Sequence, residues 1–163
     1  MIRTKVLAFR CLTALTIAAG FGASSSQATL QNTCSIDLEM RADASLAQAS
    51  ASWRALLKHQ RTFVLCDDGY LAEGYSNAVV ALFAHQWDQF ADFVVLSERH
   101  PAFGRWAIRH VDATATDDEL TRVMRNAKNC VGNVTTKSVC AAVGQGAADA
   151  LAEQKLLLQN EEL

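Results

Sequence analysis

Apolar residues in this chain recur every three to four positions and almost never every second one. That spacing restricts the fold more than any other feature. Leu46, Ala49, Trp53, Leu56, Leu57 and the Phe63-Val64 pair trace one stripe from about residue 43 to 64. Leu71, Tyr75, Val79, Leu82 and Phe83 begin a second, continued by Trp87 and Phe90 to about Glu98, in one long helix or two consecutive ones. The single proline, Pro101, suits the first turn of a short helix whose Phe103, Trp106 and Ala107 face inward. After a loop at Asp112-Ala-Thr-Ala-Thr, Thr116-Asp-Asp-Glu119 has the spacing of a capping box. The helix it opens packs through Leu120, Val123, Met124 and Ala127 and stops near Gly132. A last helix starts around Thr136 and buries Val139, Ala142, Val143, Ala147 and Leu151, its small residues allowing a neighbour to approach closely. The tail, about 155–163, is expected to fray. The pattern predicts an all-α fold, a compact bundle of five or six short helices, in one domain over 29–163.

The first 28 residues read differently. Arg3, Lys5 and Arg10 precede an uncharged, mostly apolar run over 11–23, and Ser26-Gln27-Ala28 supplies small residues for a signal-peptidase cut after Ala28. Thirteen helical residues cover about 20 Å, short of the roughly 30 Å of hydrocarbon that a membrane anchor must span. The sequence therefore predicts export to the periplasm, with no stable membrane insertion once the segment is removed. Without it, the 15 basic residues lose three and become 12, against 17 acidic ones, a net charge of −5. No basic patch is left to replace phosphate counterions, so nucleic acid is an unfavourable partner, whereas a basic protein surface would be attracted.

Cys34, Cys66, Cys130 and Cys140 stay in the mature chain. An even count in an exported protein reads as two disulfides, with three connectivities open. Zinc would need pairs spaced C-x₂₋₄-C, which are absent. Cys130–Cys140 straddles a short turn, which leaves Cys34–Cys66 as the second pair.

The densest chemistry lies in the stretch CDDGYLAEGY, residues 66–75. Asp67-Asp68-Gly69 lacks the alternating oxygen ligands and distant Glu of a calcium loop. A glycosidase pair with Glu73 would need a sugar cleft that a 135-residue bundle has little room to form. One of the two aspartates is better read as the cap of the helix through Leu71 and Tyr75. His59, His85, His100 and His110 form no H-E-x-x-H motif and are expected on helix surfaces or ends, His110 in a small basic spot with Arg105 and Arg109. There is no G-x-S-x-G elbow, and bridged cysteines leave no thiol nucleophile. Asn133-Val134-Thr135 reads as turn chemistry. The sequence thus points to no enzyme and no cofactor.

What survives is a surface. Asp67, Asp68 and Glu73 form one acidic turn, and Asp112, Asp117, Asp118 and Glu119 another. Tyr70 and Tyr75 add amphipathic rings of the kind enriched at interfaces. Asp67, Asp68, Tyr70, Glu73, Asp112, Asp117 and Asp118 are therefore the candidate partner-binding residues. Other classes remain open: a hydrolase assembled from histidines and carboxylates, an accessory envelope protein, and a carrier with an apolar cavity.

The signal segment, the CDDGYLAEGY stretch leading into a helix, and the C-x₉-C near the end together resemble the amidase-immunity proteins of type VI secretion systems. The resemblance extends over the mature chain in architecture. It implies a periplasmic protein that binds a cognate peptidoglycan amidase effector, blocks its active-site cleft and protects the cell from sister-cell toxin. A homodimer is compatible with that role.

Overall fold

Serine, aspartate, threonine and asparagine side chains cap the starts of five of the described helices. The computed structural model describes residues 33–161, so the expected signal segment over 1–28 lies outside the described residues. Ser35 caps α1 (Ile36–Ala49) by accepting from the Leu38 amide, and Ser52 caps α2 (Trp53–Thr62) by accepting from Ala55. Those serines explain why the apolar stripe expected to run unbroken to residue 64 is two helices. Ser52 is extended, which interrupts the α-helical backbone without interrupting the period of the stripe. A single 3₁₀ turn, Val64–Cys66, leads to α3 (Gly69–His85). Asp68 caps that helix through Gly69, whose φ of +52° is the left-handed conformation a side chain would resist.

The second stripe also divides. A 3₁₀ turn at Trp87–Gln89 separates α3 from α4 (Phe90–Arg99). Pro101 occupies the first turn of α5 (Pro101–Arg109), as its missing N–H favours. At α6 (Asp117–Lys128) the Thr116 hydroxyl accepts from the Glu119 amide at 3.3 Å and donates to the Glu119 carboxylate at 2.8 Å. The box therefore closes between the two side chains. Asn133 Oδ1 accepts from both the amide and the hydroxyl of Thr136 at the start of α7 (Val134–Glu161), so the Asn-Val-Thr stretch serves as a cap. Helix α7 continues through Glu161, where the sequence led one to expect a frayed tail. Gln154 holds it there by donating to the carbonyls of Ala113 and Ala115.

These seven α-helices form an all-α bundle, and the expected disulfides close it. Cys34 and Cys66 lie 4.8 Å apart at Cα, and Cys130 and Cys140 6.3 Å. The core is aromatic at its centre. Trp53 lies 4.5 Å from the rings of both Phe83 and Phe93, and Phe103 flanks it. Glycines permit the closest helix crossings: a Cβ on Gly104 would sit 2.8 Å from that of Ser97, joining α5 to α4. Between α7 and α6, a Cβ on Gly144 would meet that of Ala127 at 3.0 Å.

Candidate functional site

Consecutive residues of the acidic stretch point in different directions. Cys66 is buried and bridged to Cys34. Asp67 turns inward to α5. Asp68 spends one oxygen on the cap of α3, and its side chain is exposed. Gly69 supplies the left-handed turn after which Tyr70 emerges, 52 % exposed, while Leu71 is buried again.

The inward branch is a polar cluster at the junction of α3, α5 and the loop that follows. Asp67 Oδ2 accepts from the Trp106 indole at 2.7 Å and from His110 Nε2 at 3.4 Å, while Oδ1 lies 3.1 Å from the same nitrogen. Burial pushes the Asp67 carboxyl up. The hydrogen bonds from His110 and Trp106, with the charges of His110 and Arg109, outweigh it and hold the group below its ordinary value. His110 Nδ1 lies 2.9 Å from Ser76 Oγ, and that hydroxyl donates to Asp112 Oδ2 at 2.6 Å. The other Asp112 oxygen accepts from the amide and hydroxyl of Thr114, an Asx turn that opens the loop to α6.

Aspartate, histidine and serine in line invite comparison with a nucleophilic triad. Two features separate this cluster from one. The imidazole is turned the other way, Nε2 toward the carboxylate and Nδ1 toward the hydroxyl. Ser76 is also only 1 % exposed and already bonded to Asp112 and to the Ala72 carbonyl, so a substrate could reach it only if helices parted. The cluster's work is to clamp the 66–68 segment, α3, α5 and the following loop together.

A second relay lies alongside. His59 Nε2 contacts the Ala42 carbonyl and Ser45 Oγ, both at 3.0 Å, and Nδ1 lies 2.9 Å from the Tyr75 hydroxyl. A carbonyl only accepts, so Nε2 carries the proton and Tyr75 donates to Nδ1. Burial lowers the His59 pKa, against the opposing effect of the bond to Ala42. Burial, and then the Asp67 charge, pushes the Tyr75 phenol well up. The Tyr75 ring packs edge-on against Trp106, 5.2 Å away, so the two relays form one polar spine across α1, α2, α3 and α5.

The sequence-based candidates therefore separate into two groups. Asp67 and Asp112, expected on the binding surface, have their carboxylates engaged in the interior cluster, because Trp106, His110 and Ser76 fold against them. Tyr75, expected as an interface ring, is wholly buried, and His59 and His110, expected on surfaces or ends, are buried too. Periodicity could have found them. His59 follows Leu56 by three residues, and His110 follows Trp106 by four, both on inward faces. Asp68, Tyr70 and Glu73 stay at the surface, as do Asp117 and Asp118 in the first turn of α6, a separate edge.

Around Tyr70 the structure adds acids from α1. Lost solvation, then the charges of Glu39 and Asp43, raise its phenol. A shallow notch of about 430 Å³ between Glu39, Leu65, the Cys34–Cys66 bridge and Asp68 adjoins it. Ile36, Met40 and Leu65 are exposed on the same elements. Among the described residues, no three His, Cys, Asp or Glu side chains converge as a metal site would require. Comparison with family models, curated proteins and solved structures finds no match for this chain. The Tyr70 corner therefore stands on its own geometry: an exposed ring, the carboxylates of Glu39, Asp68 and Glu73, and a disulfide that fixes the elements carrying them.

Proposed function

We propose that this chain is an exported binding protein that inhibits a peptidoglycan amidase effector of a type VI secretion system, acting in the periplasm as an immunity protein. The observation that carries the reading is the corner where Tyr70 stands exposed in the first turn of α3, with the exposed Asp68 and Glu73 on either side of it in sequence and Glu39 across the adjoining notch, pinned by Cys34–Cys66. Cell-wall peptides carry free carboxylates, so an amidase cleft that binds them favours negative charge. A rigid acidic corner can occupy such a cleft as a substrate mimic. Charge speeds the encounter, and a half-exposed tyrosine, with Met40 and Leu65 also exposed on α1 and the Val64–Cys66 turn, supplies the apolar anchor that affinity requires. The disulfide limits the entropy lost on docking. Two disulfides also fit an oxidising compartment, in keeping with export.

The test is direct. The mature protein is mixed at equimolar ratio with the amidase effector encoded beside its gene, and peptidoglycan cleavage and co-purification are measured. Inhibition is expected, and Tyr70→Ala combined with Asp68→Asn should weaken it at least tenfold while thermal stability changes little. Full cleavage in the presence of the wild-type protein rejects the reading for that effector.

A further inference from the structure

A second surface carries a different message. Helix α4 and the turn between α6 and α7 bound a groove of about 500 Å³, within the range of ligand and peptide sites. Its floor is apolar: Trp87 stacks on Phe90 at 4.2 Å, and Val94 and Val95 continue along α4. Val131, on the opposite wall, is 88 % exposed, and Cys130–Cys140 anchors the turn that carries it. Asp88, in the 3₁₀ turn before α4, and Glu98, in the last turn of α4, both line the groove, and no cation does. Among the described residues neither carboxylate makes an ion pair, whereas Asp92 on the same helix pairs with Arg54.

Glu98 is also placed against local preference. It lies in the last turn of α4, where the helix dipole disfavours a negative side chain by some tenths of a kcal/mol. An exposed valine, a partly exposed tryptophan and an unfavourably placed acid share one groove, and each would be relieved by the same occupant.

We infer that this groove docks an extended segment of a partner protein bearing two cationic side chains about four residues apart, with apolar residues between them. Asp88 and Glu98 are ten positions apart, about 15 Å along a helical path. An extended chain covers that in four to five residues at roughly 3.3 Å each. Cations at the ends then reach the two carboxylates, and the residues between lie on Trp87, Val95 and Val131. The inference is independent of the amidase reading and stands whether or not the Tyr70 corner inhibits an amidase.

The experiment uses the mature, oxidised protein and two synthetic peptides, Lys-Leu-Val-Leu-Lys and Glu-Leu-Val-Leu-Glu, followed by amide chemical shifts. The lysine peptide should bind and shift residues 88–98 and 131, and the glutamate peptide should not. The double variant D88N/E98Q should weaken the lysine peptide about tenfold and leave the fold intact, since both side chains are exposed. Val131→Asp should reduce binding of the peptide through its apolar centre. Equal binding of the two peptides, no binding of the lysine peptide, or shifts confined to the Tyr70 corner would each overturn the inference. So would concentration-dependent self-association that V131D abolishes, because the groove would then belong to a second copy of this chain.

Discussion

Replacing Asp67 with alanine and Trp106 with phenylalanine, singly and together, measures the hydrogen bond on which the interior clamp depends. The indole donates to Asp67 Oδ2 at 2.7 Å, a short contact to a charged acceptor. Bonds of this class contribute about 1.5–3 kcal/mol. The Asp67 side chain keeps 25 % of its surface in solvent, so water compensates in part and the lower half of that range applies. Asp67→Ala alone should cost more, about 3 kcal/mol, because it strands the Trp106 and His110 donors together. For a domain of this size that is roughly a 10 °C fall in Tm. Trp106→Phe should cost about 2–3 kcal/mol in lost volume and lost donor. The double variant should fall short of the sum by about 1.5–2 kcal/mol, the coupling between the two side chains. Urea unfolding at pH 7 with disulfides intact, followed by circular dichroism, gives all four stabilities without depending on indole fluorescence. A coupling below about 0.5 kcal/mol would show that the contact is incidental and that the clamp rests on packing alone. Asp67 has its pKa lowered by folding, so its contribution is present above the unfolded value near 3.9 and is lost as pH falls through the lower folded value.

Other perturbations address the remaining supports. His59 is held neutral by burial, so stability should be fully present above about pH 6.5 and decline as pH drops from there toward the lower folded value. His59→Gln should flatten that decline between pH 7 and 5, and an unchanged slope would assign it to other groups. Gly104→Ala places a methyl group 2.8 Å from Ser97 Cβ, and should cost about 1–2 kcal/mol even after the gain in helix propensity. A rise in Tm would mean that α4 and α5 separate freely. The Cys34–Cys66 bridge closes 32 positions and Cys130–Cys140 closes 10, so chain entropy gives about 4 against about 3 kcal/mol. Paired cysteine-to-alanine variants, unfolded in urea, should fall in that order, and the reverse order would point to native-state strain or residual structure as the larger effect.

Features whose partners lie within about ten residues were legible in the sequence. Thr116 with Glu119, Pro101 at a first turn, and the short Cys130–Cys140 span each satisfy themselves locally, and the structure has them as expected. The break at Ser52 was not, because an apolar stripe keeps its period across a short interruption, and for the same reason the stripe through Trp87 left one helix or two open. The polar interior was the least legible part. Asp67 and Asp68 are adjacent and chemically equivalent as sequence, and what separates them is an extended backbone at Asp68 and the left-handed Gly69. Asp67 is then aimed at Trp106 and His110, 39 and 43 positions further on. No local pattern encodes that pairing, and the same is true of Ser76 with Asp112 and His59 with Ala42.

The division has a functional consequence. One ten-residue stretch serves the core through Cys66, Asp67 and Tyr75 and serves the surface through Asp68, Tyr70 and Glu73. The inward residues hold α3 against α5, and that fixes the first turn of α3 on which Tyr70 is carried. Substitutions at inward positions must therefore lower stability first, and lower association only through the loosened corner. Under the binding reading proposed above, substitutions at the outward Tyr70 and Glu73 should lower association while the unfolding transition stays in place, whereas removing the Asp68 cap should lower stability as well. Two neighbouring residues, Asp67 and Tyr70, thus belong to different free energies, and measuring both quantities on both variants separates the scaffold from the surface it presents.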